Sequence, residues 1–241
     1  MSVVCINGLP GKGKTLLGTS IAVKHFNKEN TFFKKVFRKI KKEDIIVNNV
    51  YSNYPILLNK RKNIYSNIVS INDLKNQFSF KPNSIIIIDE IQLFYDSDEY
   101  KTFPRIIANF NQAHRHFLIK DIYYISQHPS RVIKKLRNVC SEYYRIKNKV
   151  VIPLLKIGFI SCRITYEFED YELSFTKDKD LMKMRDIKRK LFFINFRKIF
   201  KSYDTIYLLP LNENKPLINH GTFNGLCLSG NEKNELEKIL F

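Results

Sequence analysis

Near its N-terminus the sequence carries residues whose types and spacing suit them to holding a chain of phosphates. Residues 8–15 read Gly-Leu-Pro-Gly-Lys-Gly-Lys-Thr and match the pattern G-x-x-x-x-G-K-[ST] at every fixed position. Glycines let backbone amides crowd around an anion, and a helix that begins at the loop points its free N–H groups and positive dipole end at the same anion. The pattern therefore predicts a phosphate-binding loop.

Each part of this loop has a predicted role. Lys14 is expected to reach the β- and γ-phosphates and Thr15 to place its hydroxyl on Mg²⁺. An apolar run at residues 3–6 indicates a strand before the loop, and apolar residues at helical spacing from Leu16 to Phe26 indicate a helix of about four turns after it. The residues predicted to bind the nucleotide are Gly8, Leu9, Pro10, Gly11, Lys12, Gly13, Lys14, Thr15 and Leu16.

A second segment, residues 84–90, reads Ser-Ile-Ile-Ile-Ile-Asp-Glu. Four consecutive isoleucines are typical of a strand that is buried on both faces, as in the centre of a parallel sheet. Open α/β sheets bind ligands at the carboxyl ends of their strands, where these carboxylates would lie. We expect Asp89 to bind Mg²⁺ through a water molecule and Glu90 to act as the base that activates water for attack on the γ-phosphate. The alternative is a buried strand followed by an ordinary polar turn.

Two further side chains are candidates for the reaction. Gln127 follows a predicted strand at residues 119–125, where its amide could sense the γ-phosphate or hold the attacking water; the alternative is a strand-end cap. Arg115 is a candidate for contact with the nucleotide of a neighbouring subunit, and a surface ion pair is the alternative. The two histidines that flank Arg115 are two residues apart and do not share a helix face, which argues against a metal site.

Composition and charge restrict the class of protein. The 241 residues include 44% hydrophobic residues, enough for a full core, and four single cysteines that suggest a reducing compartment. We see no signal peptide and no apolar run of 18 residues, so we expect a soluble or peripheral protein. The net charge of +18 favours a polyanionic partner, nucleic acid first and an anionic membrane surface second. The alternative is a set of solvated lysines that reflects an AT-rich genome.

The order of predicted elements indicates two regions. Residues 1–147 alternate strand and helix, which predicts an α/β core with a mainly parallel sheet flanked by helices. A basic helix at 32–42 could grip phosphates, and Ser130 is expected to cap a helix that follows it. Residues 148–241 are expected to form a small C-terminal extension with antiparallel strands, a helix and loop within 181–201, and a terminal helix at 232–240.

Several blocks of sequence, taken together and in order, resemble the zonular occludens toxin-like ATPases, the morphogenesis proteins of filamentous phages. A later segment, Lys198–Thr205, resembles the family more weakly. The blocks are Gly8–Thr15, Val50–Pro55, Ile88–Gln92, His114–His116 with Asp121-Ile122, and Ser126–Pro129 followed by Ile133 and Arg137.

The resemblance implies a RecA-like P-loop core of the additional-strand type, with ATP and Mg²⁺ as cofactors and Gln127 as a sensor. It also implies a ring-forming homo-oligomer that drives DNA through virion assembly and export, in the host cytoplasm or at the inner face of the cell membrane. Filamentous-phage members typically carry a membrane-spanning helix after the ATPase domain. Because this chain shows none, a membrane-anchored partner protein or a capsid DNA-packaging role are the alternatives.

Two other classes of function are compatible with the same loop. A slow, nucleotide-gated assembly protein would bind ATP and turn it over little. A small-molecule or nucleoside kinase would transfer the phosphoryl group to a small acceptor, although the basic excess and the Asp89-Glu90 pair argue against it.

Overall fold

The computed structural model describes residues 2–29, 48–69, 73, 80–93, 105–173 and 187–203. All of them lie within one compact unit, Met1–Tyr203. The basic helix predicted at 32–42 and the terminal helix predicted at 232–240 lie outside the described residues. None of the helices in the described ranges is long and apolar enough to cross a bilayer.

The strands and α-helices of the described ranges have the following bounds. The strands are β1 (Ser2–Asn7), β2 (Asn49–Ser52), β3 (Leu57–Asn59), β4 (Ile64–Tyr65), β5 (Asn67–Ile68), β6 (Ser84–Ile88), β7 (Ile119–Ser126), β8 (Glu142–Ile152), β9 (Ile157–Thr165) and β10 (Lys188–Asn195). The helices are α1 (Lys14–Glu29), α2 (Arg105–Ala113), α3 (Lys134–Arg137), α4 (Phe168–Leu173) and α5 (Phe196–Phe200).

One eight-stranded sheet organises the unit, in the order β10-β9-β8-β1-β7-β6-β2-β5. The strands from β8 to β5 are parallel to their neighbours, whereas β9 and β10 are antiparallel. Strands β3 and β4 form a separate hairpin. The predicted α/β fold with a mainly parallel central sheet is confirmed. Strand β7 lies between the loop strand β1 and the acidic strand β6, as the additional-strand class requires.

Burial explains why these segments become central strands. Residues Ile85–Ile88 of β6 and Val3–Ile6 of β1 are each at most 2% exposed. Helix α1 covers the sheet with Leu16, Leu17 and other apolar residues of one face. Gly18 permits this close approach, because a Cβ there would lie 2.7 Å from Cδ1 of Ile125 on β7.

The described part of the predicted C-terminal extension continues the core sheet. Strand β8 runs through the expected boundary at residue 147, β9 pairs with β8, and β10 pairs with β9. The antiparallel strands predicted here are present, but they add to the sheet at its β8 edge. Strand β1 pairs with one edge of β8, so the other edge of β8 is available for pairing. The apolar strand β9 pairs with that second edge.

Two local predictions were wrong. A helix and loop were expected within 181–201, but residues 188–195 form β10, and the short helix α5 follows it. The continuous helix expected after Ser130 is instead a 3₁₀ turn, Pro129–Arg131, and then α3. The cap of that turn is His128, whose Nδ1 accepts a hydrogen bond from the amide of Ser130 at 3.2 Å. Pro129 starts the turn, and the burial of Val132 and Ile133 then holds the chain extended between the two pieces.

We expect Gly158→Ala to destabilise the β8–β9 pair. A Cβ at this position of β9 would lie 2.0 Å from the backbone oxygen of Val150, which only a backbone shift can relieve. The free energy of unfolding should fall by roughly 1–3 kcal/mol in urea titration. Ser161→Ala on the same strand is the control and should change it little. Equal stability of the Gly158 variant would contradict the described register.

Candidate functional site

The predicted phosphate-binding loop forms an open turn between β1 and α1. Gly11 and Gly13 have φ values of +73° and +92°, a region that L side chains rarely adopt. The amide of Lys12 donates to the carbonyl of Leu9 at 3.3 Å, which closes the turn. The side chains from Leu9 to Lys12 are exposed, so the concave backbone faces solvent.

Lys14 is the first residue of α1, and its side chain is only 7% exposed. Its ammonium group donates to the carbonyl oxygen of Leu9 at 3.4 Å, so the side chain folds back over the loop. A nearly buried cation at a helix N-terminus suits an anion such as the phosphates of ATP.

The structure brings the loop and the acidic strand end into contact. The hydroxyl of Thr15 donates to Oδ2 of Asp89 at 2.6 Å. A hydroxyl and a carboxylate are hard oxygen donors, the ligand type that Mg²⁺ prefers. The residues present therefore fit a magnesium ion held between Thr15 and Asp89 beside the phosphates.

Burial shapes the electrostatics of Asp89. The residue is 9% exposed, and burial raises the pKa of its carboxyl from 3.8 to about 6. The negative charge of Glu90 also raises this pKa. The hydrogen bond from Thr15, the one from the Glu90 amide and the charge of Lys14 lower it without cancelling the effect of burial. The ionised carboxylate is thus under-compensated in the protein alone, which favours a cation at this point.

Glu90 lies in a constrained turn directly after β6. Its φ is +50°, an uncommon value for a non-glycine residue, and its amide donates to Oδ1 of Asp89 at 2.9 Å. The side chain of Gln92, which is 8% exposed, donates from Nε2 to Oε2 of Glu90. Gln92 therefore orients the predicted base. Sequence reasoning gave Gln92 no role, because nothing in the sequence shows that a buried amide turns back toward Glu90.

Asn53 is a second residue of the site that sequence reasoning missed. It follows β2, the neighbour of β6, and is 3% exposed. Its side chain accepts a hydrogen bond from the Asp89 amide at 2.8 Å and donates to the Asp89 carbonyl at 2.9 Å. This reciprocal pair fixes the backbone at the end of β6. The available signal was an asparagine just after a buried strand, the same position that Asp89 has after β6.

Lys149 on β8 also reaches the loop. Its ammonium group donates to the carbonyl oxygen of Gly11 at 3.4 Å, and its Cδ lies 3.4 Å from where a Cβ of Gly13 would be. A second lysine, from the far side of β1, therefore adds positive charge to the mouth of the loop.

The two remaining candidates differ in location. Gln127 is half-buried and directly follows Ser126, which pairs with Asn7 just before the loop. It therefore lies at the same sheet edge as Asp89. Arg115 is exposed in the turn between α2 and β7, at the opposite, amino-terminal edge of β7. Arg115 is therefore not placed at the loop of its own chain, and its role toward a neighbouring subunit stays a prediction.

Comparison with known proteins bears on this arrangement. The family model for zonular occludens toxin (Zot) matches residues 2–168, which include the loop, Asp89, Glu90 and Gln127. The chain belongs to the zonular occludens toxin family. A search of curated protein sequences found no match.

Solved structures show the same fold in a Zot relative. The crystal structure of the N-terminal domain of zonular occludens toxin from Neisseria meningitidis is 20% identical, with a TM-score of 0.51, covering 84% of this chain and 98% of that domain. Weaker likenesses are the genome packaging NTPase B204 from Sulfolobus turreted icosahedral virus 2 in complex with ATP-γS (14% identical, TM-score 0.36, covering 62% and 76%) and the flagellar accessory protein FlaH from Methanocaldococcus jannaschii (14% identical, TM-score 0.34, covering 68% and 76%). Family, loop and sheet order make this Zot chain a protein of the P-loop NTPase class.

We expect Asp89→Asn to stabilise the nucleotide-free and metal-free protein at neutral pH. The folded-state pKa of about 6 lies above the ordinary 3.8, so the contribution of Asp89 to stability is fully present below about pH 4 and is lost as pH rises through about 6. The variant should be more stable by about 1–3 kcal/mol at pH 7.5, and its advantage should shrink toward pH 4.5. Urea titration at both pH values, with Glu167→Gln as control, measures this. A pH-independent difference would contradict it.

We expect Asn53→Ala to destabilise the protein through the end of β6. The change removes both hydrogen bonds to Asp89 and leaves its buried amide and carbonyl without those partners, at a cost of roughly 1–3 kcal/mol for each group. Asn67→Ala is the matched control, because Asn67 is exposed and donates one hydrogen bond, to Val50 at 3.2 Å. Urea titration of both variants should show a large loss for Asn53 only. Similar losses of stability in the two variants would contradict the role of Asn53 in fixing the end of β6.

Proposed function

We propose that this Zot-family protein is an ATP-hydrolysing motor that moves DNA during assembly and export of a phage or virus particle. The observation that supports hydrolysis best is the 2.6 Å hydrogen bond between Thr15 and Asp89, because it unites the loop and the acidic strand end in one site. Binding alone requires the loop; hydrolysis also requires the carboxylates beside it.

Each residue of the site has a distinct part in this proposal. Lys14 and the loop amides hold the β- and γ-phosphates, and Thr15 with Asp89 holds Mg²⁺. Bound there, the ion would neutralise charge that develops on the phosphate oxygens. Glu90 takes a proton from the attacking water, with Gln127 orienting that water. Lys149, above Gly11, adds a further positive charge at the phosphates.

The hydrogen bond from Gln92 to Glu90 affects how fast the protein hydrolyses ATP. It occupies one oxygen of the Glu90 carboxylate, which is then less available to accept a proton from water. Release of that oxygen when DNA or a neighbouring subunit binds would raise the rate. This is the observation that keeps a slow, nucleotide-gated assembly protein as a second candidate.

The DNA and oligomer parts of the proposal rest on charge and on site geometry. The chain has 41 Lys and Arg against 23 Asp and Glu, which favours a polyanion. In a head-to-tail ring, an arginine of one subunit would contact the nucleotide of the next. Arg115 is exposed at the sheet edge opposite its own loop and is the first candidate for this role, with Arg131 and Arg137 as alternatives. Loading of DNA into a capsid is the alternative use of the same motor.

We expect Glu90→Gln to reduce ATP turnover by about 100-fold or more while nucleotide affinity stays within a few-fold, because the amide cannot accept the proton from water. Phosphate release and binding of a fluorescent ATP analogue measure the two quantities. Glu167→Gln, an exposed change after β9, is the matched control. An unchanged rate in the Glu90 variant would remove the catalytic assignment and leave the slow assembly protein.

The same phosphate-release assay distinguishes a DNA motor from a kinase. Added DNA should stimulate turnover by the unsubstituted protein at low salt, and the stimulation should fall steeply as salt rises, because phosphate contacts release counterions. Turnover without any DNA effect, together with phosphoryl transfer to a small acceptor, would identify a kinase instead.

A further inference from the structure

The connection between β8 and β9 exposes six apolar side chains within eight residues. We name residues Val150–Ile157 the hairpin tip. Leu154, at 91%, is the most exposed large apolar side chain among the described residues. Single exposed apolar residues are ordinary, but a contiguous patch marks an interaction site. The exposed apolar side chains of the tip are Val150 (41%), Val151 (38%), Ile152 (48%), Leu154 (91%), Leu155 (60%) and Ile157 (39%).

The hairpin tip is held in this exposed position by the surrounding structure. The amide of Lys156 donates to the carbonyl of Ile152 at 2.9 Å and closes the turn. The amide of Arg197, at the start of α5, donates to the carbonyl of Lys156 at 3.2 Å. Phe196 packs directly over Gly158, with its ring 3.1 Å from where a Cβ would be. These contacts stop the tip from folding back to bury its apolar side chains.

The hairpin tip also projects beyond the phosphate-binding loop. Arg145 of β8 pairs with Asn7, the last residue of β1, and β8 continues to Ile152. At about 3.3 Å per residue, this continuation is roughly 23 Å long. The side chain of Lys149 reaches Gly11 of the loop, and the three residues of β8 that follow Lys149 span about 10 Å. Elements that lie in a membrane interface are buried there by about 5–10 Å, a depth that the tip can reach.

The charge around the hairpin tip has one sign. The sequence contains no Asp or Glu from 143 to 166 or from 187 to 203, whereas these two ranges hold five and six Lys or Arg residues. We name Lys156, Arg197 and Lys198 the cationic collar; all three are exposed. The collar surrounds an apolar tip with positive charge, which is complementary to an anionic surface that has an apolar interior.

We propose that the hairpin tip inserts into the interfacial region of an anionic lipid bilayer while the cationic collar binds lipid phosphates. The tip favours lipid over nucleic acid because its apolar residues are all aliphatic or proline, whereas proteins that bind single strands stack bases on aromatic side chains. This function goes beyond ATP hydrolysis and does not depend on it. It would place the motor at a membrane through β8 and β9.

The absence of tryptophan from the chain permits a direct test. In full-length Leu154→Trp the new side chain is the only indole, and its emission should shift to the blue on mixing with phosphatidylglycerol-containing vesicles. Brominated lipid chains should then quench it. Phe117→Trp is the control, because Phe117 is 47% exposed in the turn before β7, at the opposite sheet edge. Neither signal should change for the control.

Vesicle flotation without nucleotide gives an independent measure. Leu154→Ser combined with Leu155→Ser should weaken binding to phosphatidylglycerol vesicles by about tenfold or more, since each buried leucine contributes substantially. Lys156→Gln should weaken binding less and reduce its sensitivity to salt. Both variants should keep the nucleotide affinity of the unsubstituted protein, which shows that they are folded.

Three outcomes would overturn the proposal. The first is equal flotation of the double leucine variant and the unsubstituted protein. The second is a loss of oligonucleotide binding in that variant with vesicle binding unchanged, which would identify nucleic acid as the occupant. The third is a change of mass in solution with vesicle binding unchanged, which would identify a second copy of this chain. Because the fluorescence and flotation measurements with vesicles omit ATP, failure here is distinct from failure of the hydrolysis proposal.

Discussion

The contact between Thr15 and Asp89 is the interaction on which the site depends. It joins the first turn of α1 to the end of β6, two segments that are far apart in the chain, across the strand β7 that separates β6 from β1. Asp89 is buried there, and its raised pKa shows that the hydroxyl, one amide and the charge of Lys14 do not fully compensate its negative charge. A divalent cation beside Thr15 would complete that compensation.

The parallel sheet makes this contact possible. In a parallel sheet the carboxyl ends of neighbouring strands meet at one edge, so a polar residue just after each strand joins a common cluster. Here β1 leads to the loop, β7 to Gln127, β6 to Asp89 and β2 to Asn53. Asn53 holds the backbone of Asp89 from one side, while Thr15 holds its side chain from the other. Asp89 is therefore fixed by the end of the neighbouring strand β2 and by the first turn of α1.

The parts of the structure that were predicted correctly are those that short sequence patterns determine. The loop from Gly8 to Thr15 and the isoleucines of β6 are contiguous, and their residue types determine backbone conformation and burial directly. Asn53, Gln92 and Lys149 were missed because their contacts depend on strand order and on a turn with positive φ at Glu90. Strand β10 was misread because six of its eight residues are exposed, so the burial that usually marks a strand is nearly absent. Its conformation comes from pairing with β9, a tertiary effect that propensity does not show.

Strands β8 and β9 also contact the phosphate-binding loop. A Cβ at Gly8 would lie 3.3 Å from Cβ of Ile146 on β8, and one at Gly13 would lie 3.3 Å from Cδ1 of Ile160 on β9. The two ends of the loop therefore pack closely against β8 and β9. Asp89 contacts Thr15 from the β6 side, whereas side chains of β8 and β9 approach the loop from the other. If nucleotide binding changes the loop, the change would reach β8 and β9 through these contacts. By reciprocity, whatever binds β8 and β9 would then act on the loop by the same amount of free energy.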